Sequence, residues 1–166
     1  MKSAKAFLTT SFLSALLAVP ATAAFAEETS ALAVLGSTPF AHQNYGTNVV
    51  KGRAELAPEG GETSGRTKVV VRLTGLKPGT AHIGHIHGGT CAALAPGIIF
   101  HNLEPVVANS SGEGTSRTEI LEGLQGFMDC AWWVAFHEGA ANASPQTPAI
   151  AVGPVILRSR ESGQKN

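Results

Sequence analysis

The ten residues "HIGHIHGGTC", at positions 82 to 91, contain three histidines and one cysteine. Side chains two positions apart in an extended strand point to the same face. His85 and His87 would therefore present two imidazoles side by side, which is an arrangement that can chelate a metal ion. His82 lies an odd number of residues from both, so we expect it on the opposite face, in an internal hydrogen bond. The alternative explanation of the pair is an exposed polar strand end next to a turn.

Two further histidines are candidates for the same site. His137 ends the apolar segment "CAWWVAFHE", at the position where a ligand would lie on the rim of a barrel. His101, in "IIFHNL", is a candidate fourth ligand, and a lone polar residue at a strand end explains it equally well. Copper and zinc accept imidazole ligands, whereas calcium and magnesium prefer oxygen. The histidines therefore predict a copper or zinc site.

Short strands must position these residues. Apolar runs are separated by segments rich in Gly, Pro, Ser and Asn, and they lie at 31–36, 48–57, 67–76, 81–87, 97–103, 115–121, 130–138 and 149–157. This spacing, without long helical periodicity, predicts an all-β fold, a Greek-key β-sandwich or barrel. One short helical turn is expected in "RTEILEGLQGF". We expect one domain over 27–157 and a disordered polar tail over 158–166.

The N-terminal residues predict export. Lys2 and Lys5 precede an apolar run and then small residues in an A-x-A arrangement, which is typical of a signal peptide over 1–26. The run is short for a membrane span and no second one follows, so we expect no membrane partner and a periplasmic or extracellular location. Cleavage leaves ten basic and twelve acidic residues, a net charge of −2. This balance gives no basis for nucleic-acid binding.

The two cysteines are Cys91 and Cys130. In an oxidising compartment an even pair predicts a disulfide. Two separate buried thiols are the alternative.

The segments "GLKPGTAHIGHIHGGTC" and "VAFHEGAAN" resemble the copper/zinc superoxide dismutase superfamily, and the resemblance extends over residues 31–157. It implies a dismutase-like sandwich in which His85 and His87 bind copper and His137 is a later copper ligand. His101 lies in the interval where the family has a histidine that bridges copper and zinc. The resemblance thus favours copper as the metal and superoxide as a candidate substrate.

The zinc site of that family has no counterpart in this sequence. Between His101 and His137 the chain has no histidine, and its one aspartate there is Asp129. Ala141 occupies the position of an aspartate that links the two metal sites in the family. Zinc is therefore not expected as a cofactor.

Two groups that matter for dismutation are also replaced. The family's last strand carries an arginine that guides superoxide and a cysteine that closes the disulfide; here the matching positions are Ala149 and Val152. Arg117 and Arg158 are the nearest alternatives in the sequence for guiding an anion. A Cys91–Cys130 disulfide would join a different pair of strands from the family's.

Three hypotheses follow. The first is an exported copper-binding protein with a dismutase-like domain and at most slow dismutation. The second is a genuine superoxide dismutase, copper-only or with an atypical zinc site. The third is a non-enzymatic interaction module with incidental histidines. It rests on a weaker resemblance to exported chordin-type (CHRD) modules, carried by "GHIHGGTC" and by the closing segments "WWVAFHEGA" and "AVGPV".

Overall fold

The eight predicted apolar segments all form strands in the computed structural model, which describes residues 29–38, 41, 49–89, 98–127, 131–139 and 147–158. The strands are β1 (Ser30–Ser37), β2 (Lys51–Pro58), β3 (Thr67–Thr74), β4 (Ala81–Gly88), β5 (Ile99–Val107), β6 (Gly114–Ile120), β7 (Trp132–His137) and β8 (Ala149–Arg158). The helical turn expected after β6 is a single 3₁₀ turn at Leu124–Gly126, and a second 3₁₀ turn lies at Glu62–Ser64. The prediction of an all-β fold is confirmed.

The strands form one antiparallel sheet in the order β5-β4-β7-β8-β1-β2-β3-β6. The two end strands, β5 and β6, lie beside each other, and the Glu104 backbone N–H donates a hydrogen bond to the Thr118 hydroxyl between them at 2.8 Å. The sheet is therefore a nearly closed barrel. Strands β4, β5 and β6 are successive neighbours and β7 returns beside β4, which is a Greek-key connection.

The interior of the barrel follows from alternation along the strands. In β3 the side chains of Val69, Val71 and Leu73 are buried, while Lys68 and Arg72 are exposed. This period of two buries one face of a strand and leaves the other in water. Most of β4 and all of β7 depart from it, because these strands are buried on both faces.

A close contact inside the barrel packs the Phe136 ring of β7 against the backbone of β4. Gly84 pairs with Phe136, and a Cβ atom at Gly84 would lie 2.4 Å from Cζ of that ring. Phe136 is fully buried. The ring thus occupies the volume that any larger residue at position 84 would need.

The described chain ends slightly beyond the predicted domain. Arg158, the first residue of the predicted tail, still belongs to β8 and pairs with Ser30. The predicted signal peptide, the rest of the tail and both cysteines lie outside the described residues. Within the described ranges, no helix has the length and apolar character needed to cross a membrane.

Candidate metal centre

Strands β4 and β7 bring three histidines together. Ile86 lies in the barrel core, so alternation places His85 and His87 on the opposite, outward face of β4. The antiparallel register sets His85 against Ala135 and His87 against Trp133, and His137 ends β7 on the same face. The histidine pair of β4 is thus joined by His137, which lies 50 positions after His87 in the chain.

The three imidazoles form a compact group. One nitrogen of each ring lies within 4.8 Å of the others, and the ring centroids are 5.0–5.9 Å apart. Two nitrogens bound to one ion at about 2.0–2.1 Å would lie about 3.3–3.6 Å apart, so these nitrogens would approach one another by up to about 1.5 Å on binding a metal. Each histidine is at most 3% exposed. The geometry therefore allows a buried three-histidine metal site.

Hydrogen bonding shows which nitrogen of His137 is free to bind. Its Nδ1–H donates to the Thr147 carbonyl at 2.8 Å, so Nε2 carries the lone pair. This Nε2 and the Nδ1 of His85 are buried and have no hydrogen-bond partner among the described residues. Buried polar atoms are usually satisfied, because an unmet one costs about 1–3 kcal/mol. A bound cation would satisfy both nitrogens.

Burial favours the neutral form of two of these rings. Burial, followed by repulsion from the His137 and His87 rings, lowers the pKa of His85 from 6.5 to about 4. Burial also lowers the pKa of His137, and its hydrogen bond to Thr147 opposes that shift. Metals bind the unprotonated nitrogen, so His85 and His137 can coordinate at neutral pH.

His82 lies on the other face of β4 and is fully buried. Its Nδ1–H donates to the His137 carbonyl at 3.0 Å, and its Nε2 is 2.7 Å from the Thr80 hydroxyl. Burial lowers the pKa of His82, whereas the hydrogen bond to His137 raises it. His82 therefore connects the strand that carries two of the histidines to the backbone of the third.

The structure does not bring His101 to this group. His101 pairs with Ile86 across β4 and β5, so the register turns its side chain away from the outward face. Its Nε2 lies 2.8 Å from a carboxylate oxygen of Glu122, and its ring stacks against Trp132 at 5.9 Å and 11°. The group formed by the described residues consists of His85, His87 and His137.

Two groups that contact the three histidines were not predicted from the sequence. Trp133 stacks on His87 with ring centroids 4.3 Å apart and 14° between the planes, and its indole N–H donates to the Gly88 carbonyl at 3.3 Å. Its position four residues before His137 indicates the same strand face, which is a pattern the sequence does contain. The Thr147 carbonyl is a backbone group outside the strands, and no pattern of side chains indicates it.

The candidate anion-guiding residues lie elsewhere. Ala149 pairs with His137, and Arg158 is at the other end of the same strand, about 30 Å along it. Arg117 lies in β6 and pairs with Val70. Neither arginine is placed beside the three histidines.

Comparison with known proteins identifies no family: no family model and no curated protein matches this chain. What the arrangement can do chemically therefore rests on its own residues. Three buried imidazoles could hold a metal ion that accepts nitrogen ligands.

Proposed function

We propose that this chain is an exported copper-binding protein whose ligands are His85, His87 and His137. The observation that carries the proposal is the convergence of three buried imidazole nitrogens within 4.8 Å. The unpartnered Nδ1 of His85 and Nε2 of His137 add to it, since burying them without a cation is unfavourable.

Copper is favoured by the ligand type and by the resemblance. Among the described residues the group contains no thiolate or carboxylate, and imidazole nitrogen is a donor that copper accepts. The dismutase resemblance implies copper for the same three histidines. When bound, copper would supply a one-electron redox centre held by β4 and β7.

Export is the second part of the proposal. It is supported by the N-terminal lysines, the apolar run and the small-residue cleavage motif before Glu27. The intact mass of the exported protein tests it, because cleavage after Ala26 removes a defined mass. The same spectrum with and without reductant tests the Cys91–Cys130 disulfide, whose reduction adds two hydrogen atoms.

Superoxide dismutation is a second candidate function, favoured by the correspondence between the three grouped histidines and the copper ligands that the resemblance implies. The electrostatic setting argues for a slow reaction. The position matching the family's guiding arginine is Ala149, directly opposite His137. Without a cation there, and with a mature net charge of −2, little of the roughly ten- to thousandfold gain from electrostatic steering is expected.

Metal analysis tests the copper function. Protein loaded with copper should retain one ion per chain, and His85→Ala/His87→Ala should retain none. His101→Ala is the matched control, because it removes a histidine outside the group, and its copper content should equal that of the wild type. A wild-type chain that remains metal-free after loading would refute the proposal and favour the CHRD-like interaction module.

A superoxide-decay assay on the loaded protein decides between the two copper hypotheses. A rate no greater than that of His85→Ala/His87→Ala would exclude the enzyme and leave copper binding intact. A clearly faster rate would establish a dismutase.

A further inference from the structure

We propose that the site selects Cu⁺ over Cu²⁺ and that Trp133 is the residue that enforces this selection. The inference rests on the proposed copper function and extends it to the oxidation state that the protein holds. Its basis is the neutral donor set, the burial of that set and the ring stacked on His87.

The donor set disfavours the higher charge. The three ligands are neutral imidazoles, and no carboxylate among the described residues belongs to the group. Glu138 follows His137 in the chain but is not a member. Removing an ion from water costs free energy in proportion to the square of its charge, so burial penalises Cu²⁺ far more than Cu⁺ unless anionic ligands compensate.

The burial of the site also limits the number of ligands. His85, His87 and His137 are 2%, 1% and 3% exposed. Cu²⁺ prefers a tetragonal set of nitrogen and oxygen donors and would need water or another donor beyond three imidazoles. Cu⁺ is satisfied by fewer ligands, so a buried set of three suits it better.

Trp133 holds this arrangement in place. Its register position lies between His87 of β4 and Pro154 of β8, and it is 4% exposed. Parallel stacking at 4.3 Å restrains the plane of the His87 ring, and the hydrogen bond from the indole to Gly88 restrains the indole itself. The indole therefore resists the ring movement and water entry that a tetragonal ion requires.

Competition titrations test the selectivity. The affinity for Cu⁺ is measured anaerobically against bicinchoninate with ascorbate present, and the affinity for Cu²⁺ against nitrilotriacetate. We expect Cu⁺ to bind at least about tenfold more tightly, which raises the one-electron reduction potential of bound copper by at least about 59 mV relative to the free ions. Cu²⁺ binding as tight as that of Cu⁺ would overturn the selectivity, whereas binding of neither ion would refute the copper function itself.

Two variants test the part played by Trp133. Trp133→Leu keeps an apolar side chain but removes the stacked ring, and it should lower the Cu⁺ to Cu²⁺ affinity ratio by about tenfold, the usual effect of losing a group that orients a metal ligand. Trp133→Phe keeps a ring over His87 and should preserve most of the ratio. Circular dichroism confirms that each variant is folded. An unchanged ratio in folded Trp133→Leu would refute the role of Trp133, and the wild-type ratio tests the selectivity even if that variant does not fold.

Discussion

Replacing Gly84 by alanine tests whether the Phe136 ring sets the distance between the two strands that carry the histidines. The new Cβ would lie 2.4 Å from Cζ and 2.5 Å from Cε1 of that ring. Carbon atoms in contact are normally about 3.5–4.0 Å apart, so the ring or the strand must move by about 1 Å. Phe136 is fully buried, which leaves the ring little room to do so.

Overpacking of this kind destabilises a core by about 1–3 kcal/mol. Gly36→Ala in β1 is the matched control, because a Cβ there meets nothing within 4 Å. Both substitutions gain about 0.4–1 kcal/mol by restricting the unfolded chain, so their difference isolates the clash. At about 4 °C per kcal/mol for a domain of this size, Gly84→Ala should melt about 4–12 °C below Gly36→Ala.

Thermal unfolding followed by tryptophan fluorescence measures this difference. Urea denaturation measures the corresponding difference in unfolding free energy, and its m value should stay constant. A second substitution, Phe136→Leu, removes the ring edge and should make Gly84→Ala less harmful than it is in the wild-type background. Equal urea midpoints for Gly84→Ala and Gly36→Ala would show that the contact does not constrain the barrel. The Phe136 ring would then have no part in setting the distance between β4 and β7.

Three further predictions concern the histidine group. The pKa of His85 in the folded chain is lowered to about 4, so between pH 4 and 6.5 the unfolded chain binds more protons than the folded chain. The metal-free protein should therefore lose up to about 3 kcal/mol of stability as the pH falls from 6.5 to 4. Urea titrations at several pH values measure this loss, and an equally steep loss in His85→Gln would contradict the assignment. His82→Gln removes the donor to the His137 carbonyl and should weaken copper binding by about tenfold in a competition titration; unchanged affinity would mean that this bond does not orient His137. Cu²⁺ should quench the fluorescence of Trp133, because its ring lies 4.3 Å from that of His87. Trp133→Phe should therefore lose most of the quenching by Cu²⁺, whereas Trp132→Phe should retain it. The reverse pattern would place the ion on the other face of β7.

The strands and the histidine pair could be predicted from the sequence because both depend on local chemistry. Apolar runs bounded by turn residues indicated all eight strands, since alternation with a period of two is a property of each strand alone. The same period places His85 and His87 on one face of β4 and His82 on the other. Each of these inferences needs only the neighbouring residues in the chain.

Strand pairing decided which other residues join that pair. His101 and His137 are both plausible partners in the sequence, but β5 pairs His101 with Ile86, whereas β7 ends with His137 on the outward face. The position of Trp133 against His87 and the hydrogen bond from His137 to Thr147 depend on the same pairing. Register between strands far apart in the chain depends on which faces pack together in the closed barrel, and the residues next to each strand in the sequence do not determine it.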